Sequence, residues 1–257
     1  MEQVATYTND AVALKAIHDE TAFSQFKRNR QFTEILEHVS YSQGVSYLNR
    51  ISELTSNELP WSKCIENDII GNPVLHDFAA QLKSTVELNT YNISPTTIRY
   101  VAFGLQILNY IQSKNKTKFS IVEVGGGYGG QCKILFDICD CFGIEIDNYT
   151  IIDLDNVSKL QRKYLDKLCV QNVTTLPYTN CLSHLDDHYD LFISNYALGE
   201  FTTETQNFYI QNVLNKCDNY FITWNTFPIN PNLKDYSSSE EVPQTGHKQF
   251  PNVILTN

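Results

Sequence analysis

The stretch that most constrains this chain is Ile121-Val122-Glu123-Val124-Gly125-Gly126-Gly127-Tyr128-Gly129-Gly130. A short β-branched and apolar run from Phe119 to Val124 ends in glycines, and a helical pattern follows from about Gln131 to Cys139. Glycine tolerates the positive φ of a tight strand-to-helix turn and leaves the backbone open to a ligand. Downstream the pattern keeps alternating. Strands are predicted at Tyr149 to Leu154, Val173 to Leu176, Tyr189 to Ser194 and Tyr220 to Trp224, with an edge strand at Val253 to Thr256. Helices are predicted at Val157 to Leu168 and Thr203 to Asn215, and Ser237 to Glu241 reads as a mobile loop. Near-continuous apolar strands joined by helices make a mostly parallel α/β sheet with helices on both faces. Ligands of such a sheet sit beyond the carboxyl ends of its strands, where this turn falls.

The residues before the turn read as helices. Ala11 to Phe26 carries apolar residues at helical spacing, Phe32, Ile35, Leu36 and Val39 repeat it, and a third segment runs from Ser42 to Leu54. Glu66 to Pro73 is rich in turn formers, and Ser94-Pro95 supplies a cap and a first-turn proline for a helix reaching Ile111. The expected division is a helical extension, residues 1–93, and a Rossmann-like domain, residues 94–257. The extension is placed either to cap the active site or to build a homodimer.

Composition narrows the function. The chain of 257 residues can bury a core without disulfides or structural metal. Its formal charge is −10, and its one basic cluster, Lys27, Arg28 and Arg30, reads as a solvated helix face, so nucleic acid is not an expected partner. The 7 cysteines form no CxxC pair, and Cys139 and Cys141 read as packed thiols. His184, Asp186, Asp187 and His188 crowd a short solvated turn, so no metal site is expected. Met1 to Asp10 is polar and no run approaches the roughly 18 apolar residues of a membrane span, which points to a cytoplasmic protein without membrane partners.

Two cofactor classes could use the turn. Gly125, Gly127 and Gly130 satisfy the dinucleotide pattern GxGxxG, a weak signal alone. The same residues, with Glu123 two positions earlier, satisfy the acidic-x-G-x-G-x-G motif of class I methyltransferases. A carboxylate at the turn suits the methionine ammonium of S-adenosylmethionine and disfavours a pyrophosphate, by sign of charge. Asp153, ending the second strand, is placed to accept from both ribose hydroxyls, with Leu154 beside it and Asp155 more suited to starting the next helix. Asn180 and Cys181 occupy the place for adenine contacts. Asn195 and Tyr196, just past the fourth strand, fall beside the reactive methyl.

Over most of its length the chain resembles the sugar O-methyltransferase family of class I enzymes. The likeness rests on Phe26-Lys27-Arg28-Asn29, Glu34 to Ser40, Asn67 to Pro73, Ile93 to Tyr100 and Val122 to Gln131. It continues at Tyr149 to Leu154, Ser194 to Ala197 with Glu200, Glu240 to Pro243 and Thr245-Gly246. Gly199 departs from the pattern, where a serine or similar polar residue is expected. The resemblance implies S-adenosylmethionine as donor and a sugar hydroxyl, on a nucleotide sugar or a glycan, as acceptor. It also brings the turn before Pro73 and the Ser94 to Tyr100 helix start into the active site. Gly126 and Gln131 join the cofactor site, and Arg99 is set to clamp the cofactor carboxylate or an acceptor phosphate.

A sugar hydroxyl is a weak nucleophile, so a base is expected, with Glu200, His247 and Tyr128 as candidates. The rivals are an NAD-dependent sugar oxidoreductase or epimerase using the same turn, and a non-catalytic cofactor-binding protein. The Tyr-x-x-x-Lys pair of the former is not evident.

Overall fold

The computed structural model describes the backbone of residues 2–257 and the side chains of residues 10–257, so Met1 of the polar start lies outside the described residues. The main sheet contains β1 (Lys118–Val124), β2 (Glu145–Asp153), β3 (Val173–Pro177), β4 (Tyr189–Asn195), β5 (Cys217–Trp224), β6 (Ser237–Glu240) and β7 (Val253–Thr256). They lie in the order β3-β2-β1-β4-β5-β7-β6. The first five are mutually parallel and β7 runs antiparallel to both β5 and β6. A dinucleotide fold would continue parallel to its edge. The reversed final hairpin is that of the class I methyltransferase sheet, the expected fold class.

Side chains alternate across this sheet as the two-residue strand period requires. Ile121, Ile151 and Ile193 enter one core, while Val122, Val124, Ile152 and Phe192 enter the other. The first face is covered by α3 (Pro95–Gln112), α4 (Gly130–Cys141) and α5 (Asp155–Lys167), and α6 (Thr203–Asn212) lies on the second. Ser237 to Glu241, expected as a mobile loop, is instead an edge strand over Ser237–Glu240 paired with β7. All four of its residues are exposed, so it carries no apolar alternation by which a strand could be read.

The N-terminal extension differs most from expectation. Helix α1 spans Glu2–His18 and stops at Asp19, whose side chain accepts from Thr21 N and Ala22 N at 2.8 and 3.1 Å and starts a separate turn, Glu20–Phe23. The Phe32 to Val39 pattern gives only one helical turn, Arg30–Thr33; Phe32, Ile35, Leu36 and Val39 face a cavity instead. Helix α2 (Tyr41–Leu54) follows a capping box made by Ser40 and Gln43. It packs on α3, while α1 packs on α5. Lys163 ties the latter pair, with Nζ 2.6 Å from Glu20 Oε1 and 3.1 Å from Ala16 O. Residues of the extension and of α3, α4 and α5 share one core.

Lys27 is the sharpest correction. It is no solvated residue but 0% exposed, with its Nζ 4.3 Å from the Tyr128 ring centroid and 5.1 Å from that of Tyr164. Burial lowers its pKa to about 8, against the pull of the Glu37 and Asp68 carboxylates. Sequence spacing alone cannot separate such a caged cation from a surface one. Of the two cysteines read as packed, Cys139 is buried and Cys141 is exposed. No described helix is long and apolar enough to cross a membrane.

Candidate active site

The carboxyl ends of β2, β1, β4 and β5 open into a cavity of about 1020 Å³, roofed by Phe32 to Val39 and by the loop before β7. That volume is at the upper end of the range for one drug-sized ligand, roughly 300–1,000 Å³. It leaves room for two partners of a reaction.

The glycine turn forms its floor. Gly125, Gly127 and Gly129 have φ of +77°, +58° and +94°, a region L side chains avoid. At Gly125 an added Cβ would lie 2.2 Å from Ala197 Cβ, so β1 and β4 close on each other only because that atom is missing. Two carboxyls flank the turn. Glu123, 2% exposed, accepts from Tyr149 Oη at 2.9 Å, and burial together with the nearby Asp153 charge pushes it up to about 7. Asp153 accepts from Leu154 N and Gln161 Nε2, both at 2.9 Å, and burial pushes it up to about 7 as well. Gln161 Nε2 also donates to Gly127 O at 2.8 Å, linking carboxylate to turn. Among the described residues no cation lies within ion-pair distance of either group.

The other wall comes from distant segments. Asn195 accepts from Thr223 Oγ1 at 2.8 Å through its Oδ1, while its Nδ2 is buried and unpartnered. Tyr196 follows with φ +63°, a left-handed conformation that costs a non-glycine residue roughly 1–2 kcal/mol. It is held there by its N–H donating to Thr223 O at 3.0 Å and its hydroxyl donating to the buried Glu241. Glu241 also accepts from Thr245 N, Thr245 Oγ1 and Asn252 Nδ2 at 3.0, 2.8 and 2.9 Å, and so organises the loop before β7. Glu200, on the turn after β4, accepts from Asn225 Nδ2 at 2.6 Å. His247 is exposed at the rim of the same cavity, its Nδ1 accepting from Gln249 N at 3.3 Å.

Of the residues expected in the site, Arg99, Glu123, Gly125, Gly126, Gly127, Gln131, Asp153, Leu154, Asn195, Tyr196, Glu200 and His247 line the cavity. Tyr128, Asn180 and Cys181 do not. The Tyr128 ring is fully buried behind the turn, where its hydroxyl donates to Glu37 Oε1 at 2.9 Å and accepts from Asn67 Nδ2 at 3.3 Å. Burial and the Glu37 charge hold it well above the usual tyrosine range, so it is no base. Asn180 is exposed off the cavity, and Cys181 is buried with its Sγ donating to Tyr178 O at 3.4 Å. Tyr178, just before them, lines the cavity, its N–H donating to Asp153 O at 2.8 Å.

The turn before Pro73 supports the site from below rather than lining it. Asn67 Nδ2 donates to Thr97 Oγ1, and Asp68 accepts from Thr97 Oγ1 and Ser94 N, at 2.6, 2.6 and 2.8 Å. Gly199 also has a reason to be glycine. An added Cβ would stand 3.0 Å from Asn225 Oδ1 and 3.1 Å from Thr226 Oγ1. Tyr47, Tyr178 and Asn225 line the cavity without any signal in their local sequence.

The solvated His184 to His188 turn lies at the opposite end of the strands. There His188 Nε2 stands 2.9 Å from Asp218 Oδ1, near Asp190, which is already bound to Lys116 and Ser120.

No family model matches the chain, and no curated protein matches it. Among solved structures it is similar to the magnesium protoporphyrin IX methyltransferase of Synechocystis PCC 6803 with bound SAM. That pair shares 12% identity over 87% of this chain and 95% of the other, with a TM-score of 0.44. TrmK of M. capricolum in complex with S-adenosyl-homocysteine shares 13% identity over 58% of this chain and 66% of its own, with a TM-score of 0.40. A Galdieria sulphuraria protein assigned as a sarcosine dimethylglycine methyltransferase shares 18% identity over 50% of this chain, with a TM-score of 0.39; this chain spans 48% of that one. Likeness at this level says nothing of what this chain binds.

Proposed function

We propose that the chain is an S-adenosylmethionine-dependent O-methyltransferase that methylates a sugar hydroxyl. The observation that carries the reading is the pair Glu123 and Asp153, two desolvated carboxyls at a glycine turn with no cation among the described residues to neutralise them. Buried carboxylates of this kind are stabilised by an ammonium and by hydroxyl donors, and repel a pyrophosphate. S-adenosylmethionine offers both donors, on its methionine and its ribose. Asp153 would hold the ribose, Glu123 and the turn the methionine end, and the Tyr178 ring offers a flat face to the adenine.

When bound, the cofactor supplies an electrophilic methyl on a sulfonium. The chain's own task is to align an acceptor oxygen with it and keep water out. Phe32, Leu36, Val39 and Phe103 wall the cavity with apolar surface, and Asn195, also on its lining, keeps a buried Nδ2 without a partner. Glu200 or His247 takes the proton from the acceptor hydroxyl. The sugar rests on the family resemblance and on a wall rich in Tyr, Asn and Thr, which suits a polyhydroxylated acceptor.

Calorimetric titration with S-adenosylhomocysteine and with NAD, using Asp153→Ala as control, tests the reading. S-adenosylhomocysteine binding that is weakened about 100-fold or more by Asp153→Ala is the expected result. NAD binding, or binding of neither, overturns it.

A further inference from the structure

Two phenylalanines of the cavity lining stand open to water. Phe227 is 45% exposed and Phe250 is 56% exposed, and their ring centroids lie 6.1 Å apart at an interplanar angle of 37°. Single exposed apolar side chains are ordinary, whereas a contiguous pair on the lining of a pocket marks a contact surface.

Neither ring hangs on a free loop. Thr226 Oγ1 donates to Gly199 O and Asn225 Nδ2 donates to Glu200 Oε1 at 2.6 Å, so the segment carrying Phe227 is fastened to the turn after β4. Phe250 N donates to His247 O at 2.9 Å, which closes the loop before β7 on itself. Each ring is thereby tied to one of the two candidate bases, Glu200 and His247.

The charge around the rings limits what they can meet. The turns after β4 and β5 add Thr202, Thr205, Asn225 and Thr226 to the lining. Among the described residues that lining holds no lysine and one arginine, Arg99, which is 7% exposed and already donates to Leu36 O. Lys248, next to His247 in the chain, is exposed and does not line it. A diphosphate needs several cations, and the chain's charge of −10 repels it. A wholly apolar partner would leave the hydroxyls and amide of the same wall unmatched. An uncharged pyranose matches both, with apolar C–H faces for the rings and a hydroxyl edge for the threonines and asparagine.

We propose that Phe227 and Phe250 form a stacking platform for a pyranose of an uncharged oligosaccharide, which makes the acceptor a neutral glycan and not a sugar nucleotide. The platform narrows the acceptor of the proposed function and rests on that reading for its sugar.

The test applies labelled wild type, Phe227→Ala and Phe250→Ala to an array of uncharged oligosaccharides, with and without saturating S-adenosylhomocysteine. The best-bound glycan is then titrated in solution beside UDP-glucose and GDP-mannose, with melting curves to report folding. Wild type is expected to bind the uncharged glycan more tightly than either sugar nucleotide. Each alanine weakens that glycan about tenfold, the loss of one aromatic contact, and leaves S-adenosylhomocysteine affinity unchanged. Phe250→Tyr, which keeps a ring, retains the affinity. Phe250→Leu, apolar but without a ring, loses it, and keeps the test decisive where alanine disturbs the fold. The platform is overturned if no uncharged glycan binds under either condition, if a sugar nucleotide binds as tightly, or if the ringless variants match wild type. Glycan binding that depends on both rings, in protein that ignores S-adenosylhomocysteine, keeps the platform and sinks only the cofactor reading.

Discussion

The two walls of the cavity are built to different rules. Around Glu123 and Asp153 the protein supplies its own partners: a tyrosine hydroxyl, a backbone N–H and a glutamine amide that also grips the turn. Across the cavity, Tyr47 Oη, Asn195 Nδ2 and Asn225 Oδ1 are buried with none. No residue lining the first wall carries such an atom. Buried polar atoms are nearly always satisfied, so three exceptions on one wall set it apart from the other. The carboxyls of the first wall have protein partners, although Gln161 Oε1 behind them has none, and the lining of the second wall leaves three polar atoms unpartnered.

Substitutions in the two walls should therefore behave differently. The largest effect belongs to the floor of the first. Gly125→Ala combines a positive φ with a clash against Ala197, and should cost about 3 kcal/mol in urea unfolding. A loss under about 1 kcal/mol would mean that β1 and β4 can part without harm.

The same change made once in each wall is the sharpest contrast. Tyr149→Phe strips a buried carboxylate of its donor and should destabilise by about 2 kcal/mol at pH 8. Tyr47→Phe removes a hydroxyl that has no partner and should stay within about 0.5 kcal/mol of wild type without ligand. Equal losses would erase the distinction drawn above.

Acidity separates the walls as well. Glu123 and Asp153 both titrate near 7 in the folded protein, above their values in the unfolded chain, so folding favours their protonated forms. The stability they contribute is full below about pH 4 and is lost as pH rises through 7. Relative to Asp153→Asn, wild type should become less stable between pH 5 and pH 8. Under the proposed function, cofactor binding needs both carboxylates ionised and runs the other way. S-adenosylhomocysteine affinity should fall by up to about 100-fold from pH 8 to pH 6, about tenfold for each group, read by calorimetry, and a flat profile would remove these groups from the site.

The contrast also explains what could be read from the sequence. The first wall is written on two short segments, residues 123–131 and 151–154, because a strand, its turn and the next helix must be contiguous to hold a ligand at a strand end. The sheet was legible for the same reason, through apolar runs that need no distant partner. The second wall gathers residues 47, 99, 195–200, 225 and 241–252, which meet only after folding. Tyr47 looks like any aromatic on an amphipathic helix, and Glu241 like any loop acid. Tyr128 misled by its position. It sits inside the motif, yet the turn rotates its ring away from the ligand side and into the cage around Lys27.

That cage constrains how the chain can be made. Residue 27 leaves the ribosome ahead of the rings that enclose it, which belong to residues 128 and 164. A charged lysine cannot give up its water before those rings exist. The segment around Lys27 therefore cannot close until Tyr164 has emerged, and it packs after the glycine turn and α5 rather than ahead of them.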